Sequence, residues 1–342
     1  MVTATSPAAL LAQRGNDYRK HVDAFEAGTG LPWHAPTPPT FGGSSLSVVV
    51  PVFDSVHSIA TVLDSLAAQA VGVPVQVIVV DDMSSDGSTE IVAAHPVVDR
   101  ALRLNRRSGA AAARNVGIAL AEGDTLVFLD ADVVPQPHVL ADFAARAADD
   151  LVLLGFREPI PYRSAQHGRA CLPVRQPRLS GDHRVRWRAP VGTAAVHSGR
   201  VYTRPEVVWP LDSSADFAAL GFGADRHGWD LPLMVVSALM AAPRHAVRAI
   251  GGFAADFGLG WGSEDAHLGA RLIAAGCLVA PLRQALSFHV DPVDPRAAWA
   301  EKAVTASART AQCRAMLAEP ERTVADDGRT AELIAAARWL HR

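Results

Sequence analysis

Paired carboxylates recur in this chain where short apolar runs end. Asp130-Ala131-Asp132 follows Thr125–Leu129 (TLVFL). Hard divalent cations prefer oxygen ligands, and an ion bound to phosphates often takes only one or two protein carboxylates. The pair could therefore hold a metal–nucleotide, although Asp-x-Asp also arises as a helix cap. Val79-Val80-Asp81-Asp82-Met83-Ser84-Ser85-Asp86-Gly87-Ser88 sets two more carboxylates before a polar turn. One of them could accept the imide N–H of a uracil ring, while Asp86 and Ser88 cap the next helix. Asn105-Arg106-Arg107-Ser108-Gly109 and Ala113-Arg114-Asn115-Val116-Gly117 combine small residues with arginines, which suits close approach to a diphosphate. Arg114 reads equally well as a surface helix residue. Phe257-Gly258-Leu259-Gly260-Trp261-Gly262-Ser263-Glu264-Asp265 delivers adjacent acids from a glycine-rich turn to a helix start. Trp261 offers an apolar face to a sugar ring, and the acids also suit the helix macrodipole. His289 ends the apolar run from Ala285 to Phe288, a placement where a lone histidine is more often structural.

These residues need a scaffold that brings loop ends together. β-branched runs at 46–53, 73–80, 101–104 and 125–129 alternate with helical patterns at 58–69, 88–95 and 110–121. Continuous apolar strands alternating with helices indicate a parallel sheet covered on both faces. Ligands of such sheets bind beyond the carboxyl ends of the strands, where Asp54, Asp81, Asp82, Asp130 and Asp132 fall. Residues 7–28 read as helical and 31–45 as a Pro/Gly/Ser-rich linker decorating the domain. Residues 157–210 are irregular and carry Arg163, Arg169, Arg175, Arg178, Arg184, Arg186 and Arg188; a solvated loop is the plainer reading, a lid over an anionic ligand the sharper one. Residues 230–242 read as a buried helix or strand and 264–275 as a helix. Strands are expected at 278–281 and ending at Phe288, with closing helices at 295–318 and 330–340.

Composition excludes several classes. With Lys+Arg 32 against Asp+Glu 35, the net charge of -3 argues against nucleic-acid binding driven by bulk charge. Cys171, Cys277 and Cys313 have neither disulfide-scaffold nor zinc-site spacing. No apolar stretch is long enough for a transmembrane helix, and the amino terminus is a poor secretory signal. A soluble, reduced, cytoplasmic protein is the expectation.

The order VVVPVFD, VVDDMSSDGST, N-x-x-x-G-x-x-x-A-R-N-x-G, FLDAD, GWGSED and then His resembles the GT-A-fold family 2 glycosyltransferases. The distal half is similar to galactosyltransferase-type domains carrying Gly-Trp-Gly-x-Glu-Asp. The resemblance spans about residues 46–290 and implies an α/β, Rossmann-like, mostly parallel central sheet flanked by helices, with an N-terminal arm and C-terminal helices. It divides the chain into an arm (1–45), a nucleotide-sugar half (46–135), an acceptor-binding and catalytic half (136–294) and closing helices (295–342). It implies that Pro51, Phe53 and Asp54 line the nucleoside pocket with Asp82 or Asp81 reading the base, and that Arg107 and Arg114 lie near the nucleotide. Asp130 would face the ribose or sugar, and Asp132 and His289 would bind Mn2+ or Mg2+. Asp265 would be the general base, Glu264 would hold donor sugar or acceptor, and Trp261 with Gly262 would shape the acceptor site. Two departures stand out: Val133 occupies a position where many such motifs carry a third carboxylate, and Asp54 stands where Asn or Glu is common.

The implied reaction is inverting transfer of a hexose from a nucleotide diphosphate sugar, with UDP the favoured nucleotide, to a hydroxyl. The acceptor expected is a soluble saccharide, natural-product aglycone or aminocyclitol, the last two fitting the GC-rich bacterial character of the composition. The closing helices either cover the acceptor or form a homodimer. A nucleotidyltransferase and a non-catalytic nucleotide-sugar binder are the competing classes. The first would not need the Gly-Trp-Gly-Ser-Glu-Asp loop, and the second would not need intact Asp132, Asp265 and His289.

Overall fold

The computed structural model describes residues 5–11, 13–165, 169–182, 184, 231–319 and 328–341. Its proximal half follows directly from the apolar runs. Strand β1 (Leu46–Val52), β2 (Val75–Asp81), β3 (Arg100–Arg103) and β4 (Thr125–Leu129) are joined through α3 (Ile59–Ala67), α4 (Ser88–Ala94) and α5 (Ala110–Leu120). These four strands pair only in parallel with one another, β1 lying between β2 and β4. β1 and β4 are buried almost throughout, as strands covered on both faces must be. The register sets Val52 beside Asp81 and Asp81 beside Arg103, so the carboxyl ends finish on one edge. Gly117 of α5 permits close helix–strand packing: a Cβ there would lie 2.3 Å from Val49 Cγ1.

The distal half adds β5 (Val133–Pro135), α6 (Val139–Arg146), β6 (Leu151–Ile160), α7 (Leu231–Met234), β7 (Leu239–Pro243), α8 (Arg244–Ala249), α9 (Glu264–Ala274), β8 (Leu278–Val290), α10 (Pro295–Ala318), α11 (Arg329–Ala336) and β9 (Arg338–His341). One nine-stranded sheet results, ordered β5-β8-β6-β7-β4-β1-β2-β3-β9. β7 enters antiparallel between β4 and β6, β5 runs antiparallel to β8, and β9 runs antiparallel to β3. Parallel pairing is thus confined to the proximal strands and to β6–β8, and the whole sheet is mixed rather than mostly parallel.

Two boundaries differ from the sequence reading. The strands expected within 278–288 are one 13-residue strand. It carries Pro281 because pairing with β6 shifts there, from Leu154–Pro281 to Phe156–Leu286, and a bulged strand tolerates a residue without an N–H. The closing helix expected at 330–340 stops at Ala336, and residues 338–341 extend the sheet beside β3.

The amino-terminal arm is part of the core rather than decoration. It contains α1 (Pro7–Leu11) and α2 (Arg19–Thr29), with Tyr18 and Trp33 buried. Arg146 donates to the Trp33 and Ala35 carbonyls at 2.7 Å each, with its guanidinium carbon 4.0 Å from the Phe25 ring centroid. The Asn16 amide exchanges two hydrogen bonds with the Val279 main chain. Several arginines expected in a solvated loop are ion-paired, Arg169, Arg175 and Arg178 with exposed side chains and Arg184 buried. Arg169 pairs with Asp64, Arg175 and Arg178 with Glu158, and Arg184 with Asp182. Arg186, Arg188 and most of the lid reading lie outside the described residues. The three cysteines are free thiols, Cys277 and Cys313 buried. Among the described residues, no helix is long and apolar enough to cross a membrane.

Candidate active site

The carboxyl edge gathers the sequence-selected residues by three loops. The first leaves β1. Phe53 lies beneath the Arg107 guanidinium, 3.7 Å from its ring centroid, beside the half-buried Pro51. Asp54 has a left-handed φ of 44° and accepts the Ser85 amide at 2.7 Å, while its own N–H donates to the Ser84 hydroxyl. Among the described residues, the other non-glycine positions with left-handed φ are Met83 and Ser263, and both also stand in loops of this edge. Strain of this kind persists where surrounding structure over-determines it, and it concentrates at functional sites.

The second loop leaves β2, and here the two aspartates separate. Asp81 is wholly buried; its carboxylate accepts the Ser84 amide and the Thr89 hydroxyl and faces Arg103 at 3.6 Å. It organises the turn and exposes no surface. Asp82 accepts the Ser108 and Gly109 amides at 2.6 and 2.8 Å, anchoring the start of α5. Burial holds its carboxyl above the ordinary range despite these donors. Gly109 is required here: its φ is 92°, and a Cβ would lie 2.3 Å from the Gly258 carbonyl oxygen. The 105–109 turn therefore touches the distal glycine loop. Between them a cleft of about 250 Å³ is lined by Arg106, Arg107, Ser108, Leu259 and Arg329 among others.

Arg114 differs most from expectation. It is buried in α5 rather than standing on a helix surface, and its Nε and Nη1 have no hydrogen-bond partner. Its Nη2 donates to Asp130 Oδ1 at 2.7 Å and its Nη1 lies 3.7 Å from Glu264 Oε1. Asp130 and Asp265 bear on it too, and together the acids push the guanidinium further toward its charged form despite burial. It joins the end of β4 to the start of α9. Its neighbour Asn115 holds the distal half by exchanging two hydrogen bonds with the Phe253 main chain, at 2.8 and 2.9 Å. Gly252 leaves room for that clasp, since a Cβ would stand 2.5 Å from Asn115 Oδ1. Asn115 was legible in the motif, but only the fold shows what it grips.

The third loop presents Glu264 and Asp265. Ser263, at φ 69°, turns the chain into α9. Burial, then the charge of Asp265, raises the Glu264 carboxyl to about 7. Burial also raises Asp265, opposed by Arg114 and by the Ser237 hydroxyl, which donates to Oδ1 at 2.5 Å. Like charges this close in a poorly solvated site do not both ionise readily, so the pair retains a proton toward neutrality. Ser237, on the approach to β7, carried no sequence signal.

Asp132 and His289 meet across the β5–β8 pairing, in which Val133 stands opposite His289. Asp132 Oδ2 lies 3.4 Å from His289 Nε2, and Asp132 Oδ1 is buried without a hydrogen-bond partner. Burial works to raise the Asp132 carboxyl, but His289 together with Arg157 and Lys302 lowers it to about 2. An orphaned carboxylate oxygen beside an imidazole nitrogen fits a divalent cation. Among the described residues no cluster of three His, Cys, Asp or Glu forms a complete cage, which suits an ion that takes its remaining ligands from phosphates and water.

Helix α10 grips the glycine loop. The Trp261 amide and carbonyl both bond to the Thr305 hydroxyl, and Gln312 donates to the Asp256 carbonyl at 2.9 Å. Trp299 packs edge-on against Trp261 with ring centroids 6.1 Å apart, both well exposed, and Lys302 Nζ lies 5.4 and 5.1 Å from the two rings. Trp299 and Lys302 were not singled out by sequence, since an isolated tryptophan on a helix carries no motif.

Residues 47–206 match the model of Glycosyl transferase family 2, and residues 223–289 that of the N-terminal domain of galactosyltransferase. The chain carries a family 2 glycosyltransferase domain. Over 103 residues the chain is 38% identical to the succinoglycan biosynthesis protein ExoO of Rhizobium meliloti, covering 30% of this chain and 29% of that protein. Over 259 residues it is 25% identical to hyaluronan synthase of Pasteurella multocida, covering 72% of this chain and 24% of that protein. It thus spans less than a third of the length of either relative. Among solved structures, the mannosyltransferase PcManGT of Pyrobaculum calidifontis, in complex with GDP-Man and Mn2+, aligns with a TM-score of 0.52 at 18% identity, covering 96% of this chain and 86% of that one. What the two share is the GT-A fold: a central sheet flanked by helices.

Proposed function

We propose that this family 2 domain transfers a sugar from a nucleoside diphosphate sugar to an acceptor hydroxyl with inversion. The observation that carries this reading is the presence, on one sheet edge, of both the Asp132–His289 pair and the half-buried Glu264–Asp265 pair. The proximal half (46–135) holds the donor, with Phe53 and Arg107 stacked at the nucleoside and Asp82 close to the base. The distal half (136–294) supplies the acceptor side. Uridine and guanosine are both compatible with a base read near Asp82; the uracil imide makes uridine the first choice, and the fold neighbour's GDP-Man makes guanosine the second.

Asp132 and His289 would hold Mn2+ or Mg2+, which when bound supplies positive charge to the leaving diphosphate. Asp265 accepts the acceptor hydroxyl proton. Ser237 fixes its carboxylate, and Arg114 and Ser237 oppose the burial that raises Asp265. When protonated, Glu264 can donate a hydrogen bond to sugar or acceptor. Trp261 and Trp299 give the acceptor ring an apolar face, and Lys302 beside them suits a saccharide carrying a carboxylate or phosphate.

Calorimetric titration with UDP, GDP and dTDP, each with and without Mn2+, tests the donor class. Tightening by Mn2+ for one nucleotide is the expected result, with the D132N and H289A variants losing that tightening. Absence of binding to all three by folded protein overturns the reading. For the chemistry, D265N should bind the nucleotide as wild type does and form no product.

A further inference from the structure

Strand β6 carries a cation, Arg157, near its carboxyl end. In the β6–β8 ladder Arg157 stands opposite Ser287 and Pro159 opposite His289. Residues in register on neighbouring strands share a face, as do residues two apart on one strand. Arg157 therefore lies on the same face of the sheet as His289, one diagonal step away. The strand is aimed there by an irregularity between Leu154 and Phe156. Gly155 lies within it, and a Cβ on that glycine would stand 2.5 Å from Leu239 Cδ2. Bulges next to active sites commonly re-aim a side chain in this way.

The main chain at this point is fixed. The Arg157 amide donates to Asp182 Oδ2 at 3.0 Å, and the buried Asp182 is itself paired with Arg184. Arg157 is half-buried, and among the described residues no carboxylate forms an ion pair with it. The neighbouring arginines are engaged: Arg175 and Arg178 hold Glu158, and Arg184 holds Asp182. The charge of Arg157 nevertheless reaches both Asp132 and Asp265. It thus bears on the ground between the metal-side carboxylate and the base. Lys302 also bears on Asp132, but its ammonium stacks against the two tryptophans.

We infer that Arg157 binds the β-phosphate of the nucleoside diphosphate and neutralises it as the sugar departs. This rests on the proposed transfer reaction. In that step the bond between the sugar C1 and the β-phosphate oxygen breaks, and its electron pair stays on that oxygen. The acceptor oxygen forms the new bond to C1, and its proton goes to Asp265. Arg157 keeps its own protons throughout and donates two N–H groups to oxygens whose charge increases, the fork geometry that makes arginine a bidentate phosphate ligand.

The test separates the β-phosphate from the rest of the nucleotide. Wild type, R157K and R157A are titrated with UDP and UMP, and in parallel with GDP and GMP, both in Mn2+ and in EDTA. Unchanged thermal unfolding serves as the control for folding. Loss of charge-assisted hydrogen bonds predicts that R157A weakens the diphosphate by about 10- to 100-fold and the monophosphate by less than about twofold. R157K should fall between, and the difference should persist in EDTA. Equal diphosphate binding by R157A and wild type overturns the inference, as does an equal loss for monophosphate and diphosphate, which would mark a structural role. Failure of wild type to bind any of the four nucleotides would instead overturn the donor reading, and this inference with it.

Discussion

Replacing Glu264 by Gln should stabilise the protein, and by an amount that depends on pH. The wild-type carboxyl is enclosed, and its folded value of about 7 lies above the unfolded value of 4.5. Below pH 4.5 both states are protonated and the residue makes no difference. Between pH 4.5 and 7 the unfolded chain releases the proton while the folded chain keeps it, so stability falls as pH rises through this window. Above pH 7 the loss is complete. A raised value of this size corresponds to roughly 3 kcal/mol at pH 8 and under about 1 kcal/mol at pH 5. The amide of E264Q imitates the protonated acid in shape and has nothing to ionise, so it escapes the loss. With an unfolding entropy of about 2.1 cal/mol/K per residue, 3 kcal/mol corresponds to roughly 4–5 °C in a chain of this length. The assay is thermal unfolding of wild type and E264Q from pH 5 to pH 8 at constant ionic strength. The difference between the two should widen steadily with pH. A constant difference across that range would refute the reasoning, because it would mean that Glu264 ionises in the folded protein much as it does in the unfolded one.

Arg114→Met leaves Asp130 and the acidic pair without their buried counter-charge, and should cost about 3–5 kcal/mol at neutral pH, with part of the loss recovered at pH 5 in the same unfolding assay. Gly109→Ala forces a side chain into the Gly258 carbonyl at an unfavourable φ; titration should show nucleotide affinity falling with melting temperature. Ser237→Ala removes a donor that favours the Asp265 carboxylate, so the acid limb of the pH–rate profile should move to higher pH; an unmoved limb would detach Asp265 from the titration. Trp299→Ala should raise the acceptor KM several-fold while leaving calorimetric nucleotide affinity unchanged.

What the sequence makes legible here is whatever rests on local pattern. The runs at 46–53 and 125–129 can be read as buried parallel strands because continuous β-branched residues need cover on both faces. The carboxylates that follow them are legible for the same reason, since a strand's end is an edge of its sheet. The distal half resists such reading. β7 is only five residues, LMAAP, and its antiparallel entry beside β4 depends on contacts more than a hundred residues apart. Local propensity does not encode that pairing. The 338–341 segment is a similar case: Arg-Trp-Leu-His continues a helical pattern, yet the open edge of β3 offers it backbone partners that a helix end does not.

The same distinction explains which site residues emerged. Asp132, Glu264 and Asp265 sit in short acidic motifs, and His289 gains a role only through the family resemblance. Ser237, Asn115, Trp299 and Arg157 act on partners distant in sequence, so their roles exist only once the chain is folded. Arg114 shows how type and location can mislead together. An arginine in a small-residue motif suggests a phosphate ligand, but in this fold three acids surround it first. Only its Nη2 is hydrogen-bonded, to Asp130, while Nε and Nη1 are buried without a hydrogen-bond partner. Its contribution is to hold two halves of one sheet edge at a fixed separation, with Asn115 gripping Phe253 one residue further on. The A-R-N-x-G segment is in this way a joint between the proximal and distal halves.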